Sequence, residues 1–311
     1  MGVRKEFLLL CGLAIFLASC GKKTEAQKAK EAQEYYAKGV KLYHQGDYGG
    51  AIEYLRKAEG GMAYLSPDQI RDLKFKLALS LYKDEKYEDA ILEFEDYITY
   101  YPTAPNIELA YLYLINSYLK ISPDPWRDQH YTHKAIEVAQ KFLQMFPDSK
   151  YRPQIEELID KAKRKLVKHH YLIAKFYEEY GYYYPAAVRF EYLLLTYPNL
   201  INTQDVYFHY IKNLLLVPQY ARQKEEYWKE KIGELKEELS KGGDKKYIQK
   251  RIEFYRSQME RWKKIAQTSL QKAEENLKIY KERFGEDKYY KLLLKIKKEG
   301  KEEQSWIEKL L

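Results

Sequence analysis

The sequence predicts an all-α chain, a solenoid of about five helical hairpins. Three observations carry that prediction. The first is the stretch from Lys74 to Pro102, KFKLALSLYKDEKYEDAILEFEDYITYYP. In it Leu77, Ala78 and Leu81 share one helical face, Ala90, Ile91, Phe94, Tyr97 and Ile98 share another, and the apolar-free Lys83-Asp84-Glu85-Lys86 lies between them. The second is a ruler: a small residue at Ala78, another at Ala90 and a proline at Pro102, twelve apart each time. The third is that the ruler recurs, as Gly39/Ala51, Ala135/Pro147 and Ala174/Ala186/Pro198. Small residues are needed where two helices cross closely, and this spacing is that of a tetratricopeptide repeat. One such hairpin cannot bury its own apolar face, so copies must stack.

In chain order, residues 1–19 read as a signal peptide, with Arg4 and Lys5 before the apolar run Phe7 to Leu17. Leu17-Ala18-Ser19-Cys20-Gly21 resembles the lipobox of bacterial lipoproteins. That resemblance implies cleavage before Cys20 and acyl chains on it, several of which hold a protein stably at a membrane. Gly21, where an aspartate would signal inner-membrane retention, implies the outer membrane, with the body on its periplasmic face. Residues 20–33 read as the lipidated cysteine and a polar tether, and residues 34–217 as repeats one to four plus the first helix of repeat five.

Within the repeats, Gln45-Gly46-Asp47 makes the first turn and Gly60-Gly61 ends the first hairpin. The third copy runs from Ile107 to Ile121, is interrupted by a loop containing Pro123 and Pro125, and resumes with Ala135, Ala139 and Phe142. In the fourth, Ala174, Ala186, Phe190 and Leu193 match, and Pro185 is expected to start the second helix. The fifth is split: Val206 to Val217, expected to end at Pro218, then Ala273, Leu277, Tyr280 and Gly285. Residues 218–264 form the insertion. Trp228, Ile232, Leu235 and Leu239, then Ile248, Ile252, Tyr255, Met259 and Trp262, step by three and four on either side of a glycine turn. This predicts an inserted antiparallel coiled-coil hairpin that projects from the solenoid, the alternative being a pair of solvated helices lying on it. Residues 265–311 supply the second helix of repeat five and a charged tail in which Trp306 and Ile307 are free to dock.

Chemistry is sparse. The only cysteines are Cys11 and Cys20, which excludes a disulfide framework or a four-cysteine zinc site. His130 and His133 lie near Asp124 and Asp128, but no His-Glu pair at helical spacing supports a metal. There is no phosphate loop and no nucleophile motif, so the expectation is a binding protein: not an enzyme, with no metal and no cofactor beyond the lipid on Cys20. The formal charge is +8 with acids and bases interspersed, and no basic block points to nucleic acid. In such solenoids the first helix of each hairpin lines the groove. That face would carry Tyr36, Val40, Tyr43, Phe75, Leu79 and Tyr82, a strip suited to an extended peptide with large apolar side chains. The alternative, that these residues pack on neighbouring repeats, stays open at this point. In the fourth copy the strip turns polar, with Tyr171, Lys175, Glu178 and Glu179. Arg189, between Val188 and Phe190, reads either as the partner of an acid or as a surface cation with a packed stem.

Particular segments add a resemblance. Tyr101-Pro102-Thr103-Ala104-Pro105-Asn106, Asp124-Pro125-Trp126-Arg127-Asp128-Gln129-His130, Phe146-Pro147-Asp148-Ser149-Lys150-Tyr151 and the run from Val167 to Pro198 resemble the BamD family. These are helical lipoproteins of the outer-membrane β-barrel assembly machinery. The resemblance implies a scaffold whose N-terminal repeats receive unfolded outer-membrane protein precursors. Its C-terminal repeats would hold the periplasmic domains of the barrel-forming subunit, BamA, with other assembly-machinery lipoproteins as further partners. It also implies that Arg189 is an interaction residue. The family's aromatic segment after the first repeat is replaced by Gly60-Gly61-Met62-Ala63-Tyr64-Leu65. The alternative from the residue pattern is another envelope tetratricopeptide lipoprotein, one that coordinates cell-wall processes.

Overall fold

Small residues placed twelve apart decide how the helices meet. The computed structural model describes residues 23–300, and Cys11, Cys20, Trp306 and Ile307 lie outside them. Among the described residues there are eleven α-helices and no strand. In order they are α1 (Glu25–Gln45), α2 (Tyr48–Glu59), α3 (Pro67–Lys83), α4 (Tyr87–Tyr100), α5 (Ile107–Ile121) and α6 (His130–Met145). There follow α7 (Arg152–Glu179), α8 (Tyr183–Thr196), α9 (Thr203–Ser240), α10 (Lys245–Phe284) and α11 (Lys288–Glu299). The chain divides into two compact units. One comprises the chain up to Ser122 with His130–Asp160, the other Pro123–Gln129 with everything from Lys161 onward.

The ruler residues sit where the hairpin helices cross. Ala51, Ala78, Ala90, Ala135, Ala139, Ala174 and Ala186 are all 1% exposed or less. At Gly39 even a methyl group would come within 2.8 Å of the Leu55 side chain. Phe94, Phe142 and Phe190, four or seven residues beyond an alanine, are fully buried beside these crossings. Each proline of the ruler lies two residues past a helix end: Pro102 after Tyr100, Pro147 after Met145, Pro198 after Thr196. The residue between closes the helix, as Tyr101, Phe146 and Tyr197 donate their N–H to Tyr97, Phe142 and Leu193 at 2.9, 2.9 and 3.0 Å. A residue before proline is pushed out of the helical region, so each helix stops at the same place.

Several boundaries differ from the sequence expectation. The tether is shorter than residues 20–33, because α1 begins at Glu25. Thr24 and Gln27 form a capping box there, and Ala32 is buried. Pro185 is the third residue of α8 rather than its first, still within the turn whose N–H groups have no helical partner. Pro218 does not end its helix: α9 runs through it to Ser240. An internal proline costs a helix about 3 kcal/mol by removing an N–H and crowding a carbonyl. Here Leu214, Leu215, Leu216, Val217 and Ala221 are all buried, and that burial outweighs the defect. Tyr220 also meets Trp262 of α10 at 5.0 Å.

The insertion is therefore a continuation of the two helices of repeat five. Along α9 and α10, Ile232, Leu235 and Ile248 are buried, and Trp228, Leu239, Ile252, Tyr255, Met259 and Trp262 are half-buried. Most residues off that seam between 222 and 264 are exposed. Gly242 turns the chain with φ of 93°, and Asp244 caps α10 by accepting from the N–H groups of Lys246 and Tyr247. After Gly285, α11 buries Leu293 and Ile296. No helix of the described residues is long and apolar enough to cross a membrane.

The crossing at Gly39 yields a prediction. Gly39→Val overfills it and lowers unfolding stability by about 1–3 kcal/mol in denaturant titrations. An unchanged midpoint would contradict the close crossing.

Candidate binding surface

The first helices of repeats one to three, α1, α3 and α5, present a tyrosine-rich face in the first unit. Each keeps a hydroxyl or ring edge half-exposed while its ring packs on a neighbour. Tyr36 of α1 donates to Asp72 of α3 at 2.8 Å, and burial followed by that bond pushes its phenol well above the ordinary value. Tyr43 lies edge-on to Tyr48 at 6.2 Å, with the ammonium of Lys76 5.7 Å from its ring centre. Lys76 is ion-paired to Asp72 in turn. Tyr82 of α3 meets Tyr113 of α5 edge-on at 4.7 Å and Tyr87 at 5.4 Å, and Lys83 lies 5.7 Å over Tyr113. Burial raises the phenols of Tyr43 and Tyr82 too, so these rings stay neutral and act through their faces and hydroxyls.

Of the six strip residues expected from sequence, the structure leaves Tyr36, Val40, Tyr43 and Tyr82 half-buried at this face. Phe75 and Leu79 are corrected: each is only 5% exposed, within the core. The reason is position in the stack. From Leu77 to Leu81 every residue of α3 is buried, as in a helix covered on both sides by neighbouring repeats, and Phe75 packs on Tyr97 of α4 at 5.4 Å. Tyr113, Asp72 and Lys76 take part in the face and were not foreseen. Tyr113 sits in a helix apolar nearly all round, so nothing in α5 marks it apart from the buried Tyr111. Elsewhere in this unit Met62 and Ala63, from the substituted segment, line a cleft of about 460 Å3 with Ile70, Tyr97, Tyr100 and Tyr101.

A charge lattice locks the frame behind this face. Arg56 of α2 binds Glu59 at 3.0 Å and Glu93 of α4 at 2.5 Å, while Lys74 of α3 binds Glu59 and, at 3.2 Å, Glu93. Burial opposes the charge on Glu59, but its bonds to Lys74 and Arg56 prevail and hold the carboxyl below the usual range.

The second unit replaces tyrosine packing with a buried charge cluster. Glu178 of α7, its side chain 4% exposed, accepts from Lys175 at 2.8 Å, from His209 Nδ1 at 2.9 Å and from Asn213 at 2.5 Å, with Lys212 at 3.4 Å. Burial works against its charge, yet the hydrogen bond from His209 and the attraction of His209, Lys212 and Lys175 hold the carboxyl far below the usual carboxylate range. His209 stacks on Phe190 at 5.2 Å, and Tyr171 donates to Asp205 at 2.9 Å. Two residues of the expected polar strip, Glu178 and Tyr171, thus bind α7 to α9. Arg189 of α8 is half-buried and donates to Nδ1 of His170 at 2.8 Å, so of the two sequence readings the pairing with an acid is replaced by an imidazole. His170 also packs edge-on against Tyr192 at 4.6 Å.

The loop of residues 123–129 is ordered around Gln129, whose amide donates to the carbonyls of Asp124 and Arg127 at 2.9 Å each. His169 donates from Nδ1 to the Pro125 carbonyl at 2.6 Å, and Trp126 is 60% exposed. Among the described residues no three His, Cys, Asp or Glu side chains are grouped to hold a metal, and that includes His130 and His133.

The family model described as YfiO, outer membrane lipoprotein, matches residues 28–227. A protein of Aquifex aeolicus that carries the name outer membrane protein assembly factor BamD is 41% identical over 296 residues, 94% of this chain and 96% of its own length. Namesakes from Caulobacter vibrioides and Neisseria meningitidis serogroup A are 22% and 24% identical, over 66% and 71% of this chain and 68% and 85% of theirs. A solved tetratricopeptide repeat protein from Parabacteroides merdae aligns at 14% identity with a TM-score of 0.31, covering 86% of this chain and 99% of its own.

The Glu178 cluster gives a sharp prediction. Glu178→Gln leaves the buried Lys212 without its carboxylate and breaks the network with Lys175, His209 and Asn213, destabilising the protein by about 3–5 kcal/mol at neutral pH. A carboxylate whose folded pKa is depressed contributes fully above the unfolded value of ~4.3, and that contribution is lost as pH falls below it. The gap between wild type and variant therefore narrows by about 1.4 kcal/mol per pH unit below ~4. Denaturant titrations across that range check it, and a gap independent of pH would contradict it.

Proposed function

Since the chain belongs to the YfiO family of outer-membrane lipoproteins, we propose that it is a scaffold for assembly of outer-membrane β-barrel proteins, without enzymatic activity. The near end-to-end match to an assembly factor carries this reading. Acyl chains on Cys20 would hold the body at the periplasmic face of the outer membrane, and the helix from Glu25 leaves only a short link to that anchor. Unfolded precursors would bind at the tyrosine face of α1, α3 and α5. An extended chain needs pockets for alternate large side chains, and half-exposed rings give contact area at low entropic cost. The second unit would hold the periplasmic domains of the barrel-forming subunit, BamA, with Arg189 as an interaction residue. Its partner His170 leaves the remaining guanidinium donors for a carbonyl or carboxylate of another chain.

Two measurements test this. Affinity purification from detergent-solubilised outer membranes is expected to recover the barrel-forming subunit in stoichiometric amount. A stable extract lacking it, or one dominated by cell-wall enzymes, would sink the proposal. Tyr43→Ala combined with Tyr82→Ala is expected to weaken binding of an aromatic-ended precursor peptide about tenfold, equivalent to about 1.4 kcal/mol. Unchanged affinity in a folded double variant would move the site elsewhere.

A further inference from the structure

The two arms of the helical hairpin differ in charge in a way that packing does not require. Residues 221–241, the α9 arm with its capping residue, carry six bases and six acids, many of them paired along the helix, as in Glu225–Lys229, Lys231–Glu234 and Glu237–Lys241. Residues 245–264 on the α10 arm carry eight bases and two acids. Of those eight, Lys263 pairs with Glu260 at 2.9 Å and Arg251 donates to the hydroxyls of Tyr247 and Tyr255. Lys245, Lys246, Lys250, Arg256, Arg261 and Lys264 have no ion-pair partner among the described residues, and all are exposed. Lys245 and Lys246 stand in the first turn of α10, where the helix dipole disfavours cations, so helix stability does not explain them.

Aromatic residues share this surface. Lys246, Lys250, Phe254, Arg261 and Lys264 follow at steps of 4, 4, 7 and 3, a single stripe facing away from the α9 arm, and at its foot Arg261 and Lys264 line a cleft of about 290 Å3 with Tyr184 and Val188 of α8. Phe254 is 57% exposed and Tyr247, two turns before it, 51%. Phe254 meets the ring of Tyr255 at 5.8 Å yet keeps more than half of its surface out among the cations. The stripe extends about 30 Å along a straight helix. Cations strung in a line do not converge on a compact ligand, whereas they match a flat array of negative groups. Aromatic rings among them suit the headgroup level of a bilayer. The family's membrane association supplies such a surface nearby.

We propose that the outer stripe of the α10 arm docks on an anionic phospholipid surface, a second membrane contact independent of any acyl anchor. It goes beyond the scaffold function and involves none of the precursor-binding residues. The test uses residues 20–311 with Cys20→Ala, so that no acyl chain contributes, in co-sedimentation with vesicles. Binding is expected to vesicles of phosphatidylglycerol and phosphatidylethanolamine, but not to phosphatidylcholine alone, and it should weaken as salt rises. The triple reversal Lys246→Glu, Lys250→Glu, Arg261→Glu lowers that affinity at least ~100-fold, and Phe254→Ala lowers it roughly three- to tenfold. A matched reversal on the other arm, Lys229→Glu, Lys236→Glu, Lys241→Glu, changes it no more than about threefold while altering net charge equally. Circular dichroism melts of every variant confirm that the helices remain folded. No binding of the parent protein to anionic vesicles overturns the proposal. So does an equal loss on the α9 arm, or tighter binding to an acidic polypeptide or an RNA than to the vesicles.

Discussion

The close crossing of paired helices at small residues is the constraint on which everything else in this structure depends. Gly39 against Leu55 leaves no room for a methyl group, and the buried alanines repeat that contact down the chain. Because interiors are packed to crystal density, each crossing fixes the angle of its hairpin to within the tolerance of a side chain. Gly60-Gly61 after the first hairpin, and prolines two residues past the second helices of the next three, then fix where these hairpins stop. With angle and length both set, the first helices of successive repeats lie side by side. The tyrosines of α1, α3 and α5 meet as a consequence.

The polar contacts are arranged around that frame in two ways. In the first unit the lattice of Arg56, Glu59, Lys74 and Glu93 ties α2, α3 and α4 together, while the tyrosine face stays half-open. In the second, charge goes inside, with Glu178 joining α7 to α9 through His209, Lys212 and Asn213. A buried carboxylate of this kind is stable only with its partners in register, so it specifies one packing of these helices more than it adds stability. The same fold thus has a half-open aromatic surface in one unit and a closed ionic joint in the other. That contrast is the basis for proposing two kinds of partner, an unfolded chain and a folded domain.

Most of the fold was legible because its signals are local and periodic. The span Ile107–Ile121, the ruler alanines and the hairpin seam all follow from spacing alone. The failures have physical causes. Pro218 reads as a terminator, but the burial of Leu214 to Val217 and Ala221 overrides a cost that is decisive only in a solvated helix. Phe75 and Leu79 fit the groove by register, yet α3 has neighbours on both sides while α1 has fewer, and register does not count neighbours. The acceptor of Arg189 was not legible either, since His170 is nineteen positions away on another helix. Nor was the Glu178 cluster, whose members are unremarkable surface residues by composition.

The most direct test of the claim that the α1, α3 and α5 face receives unfolded precursors is site-specific photo-crosslinking in cells. A photoreactive phenylalanine analogue would replace Tyr43 on that face or Tyr100, which is 72% exposed on α4. The account predicts adducts to newly exported outer-membrane proteins from position 43, lost when export is blocked, and none above background from position 100. Adducts from position 100 with none from position 43 would contradict it.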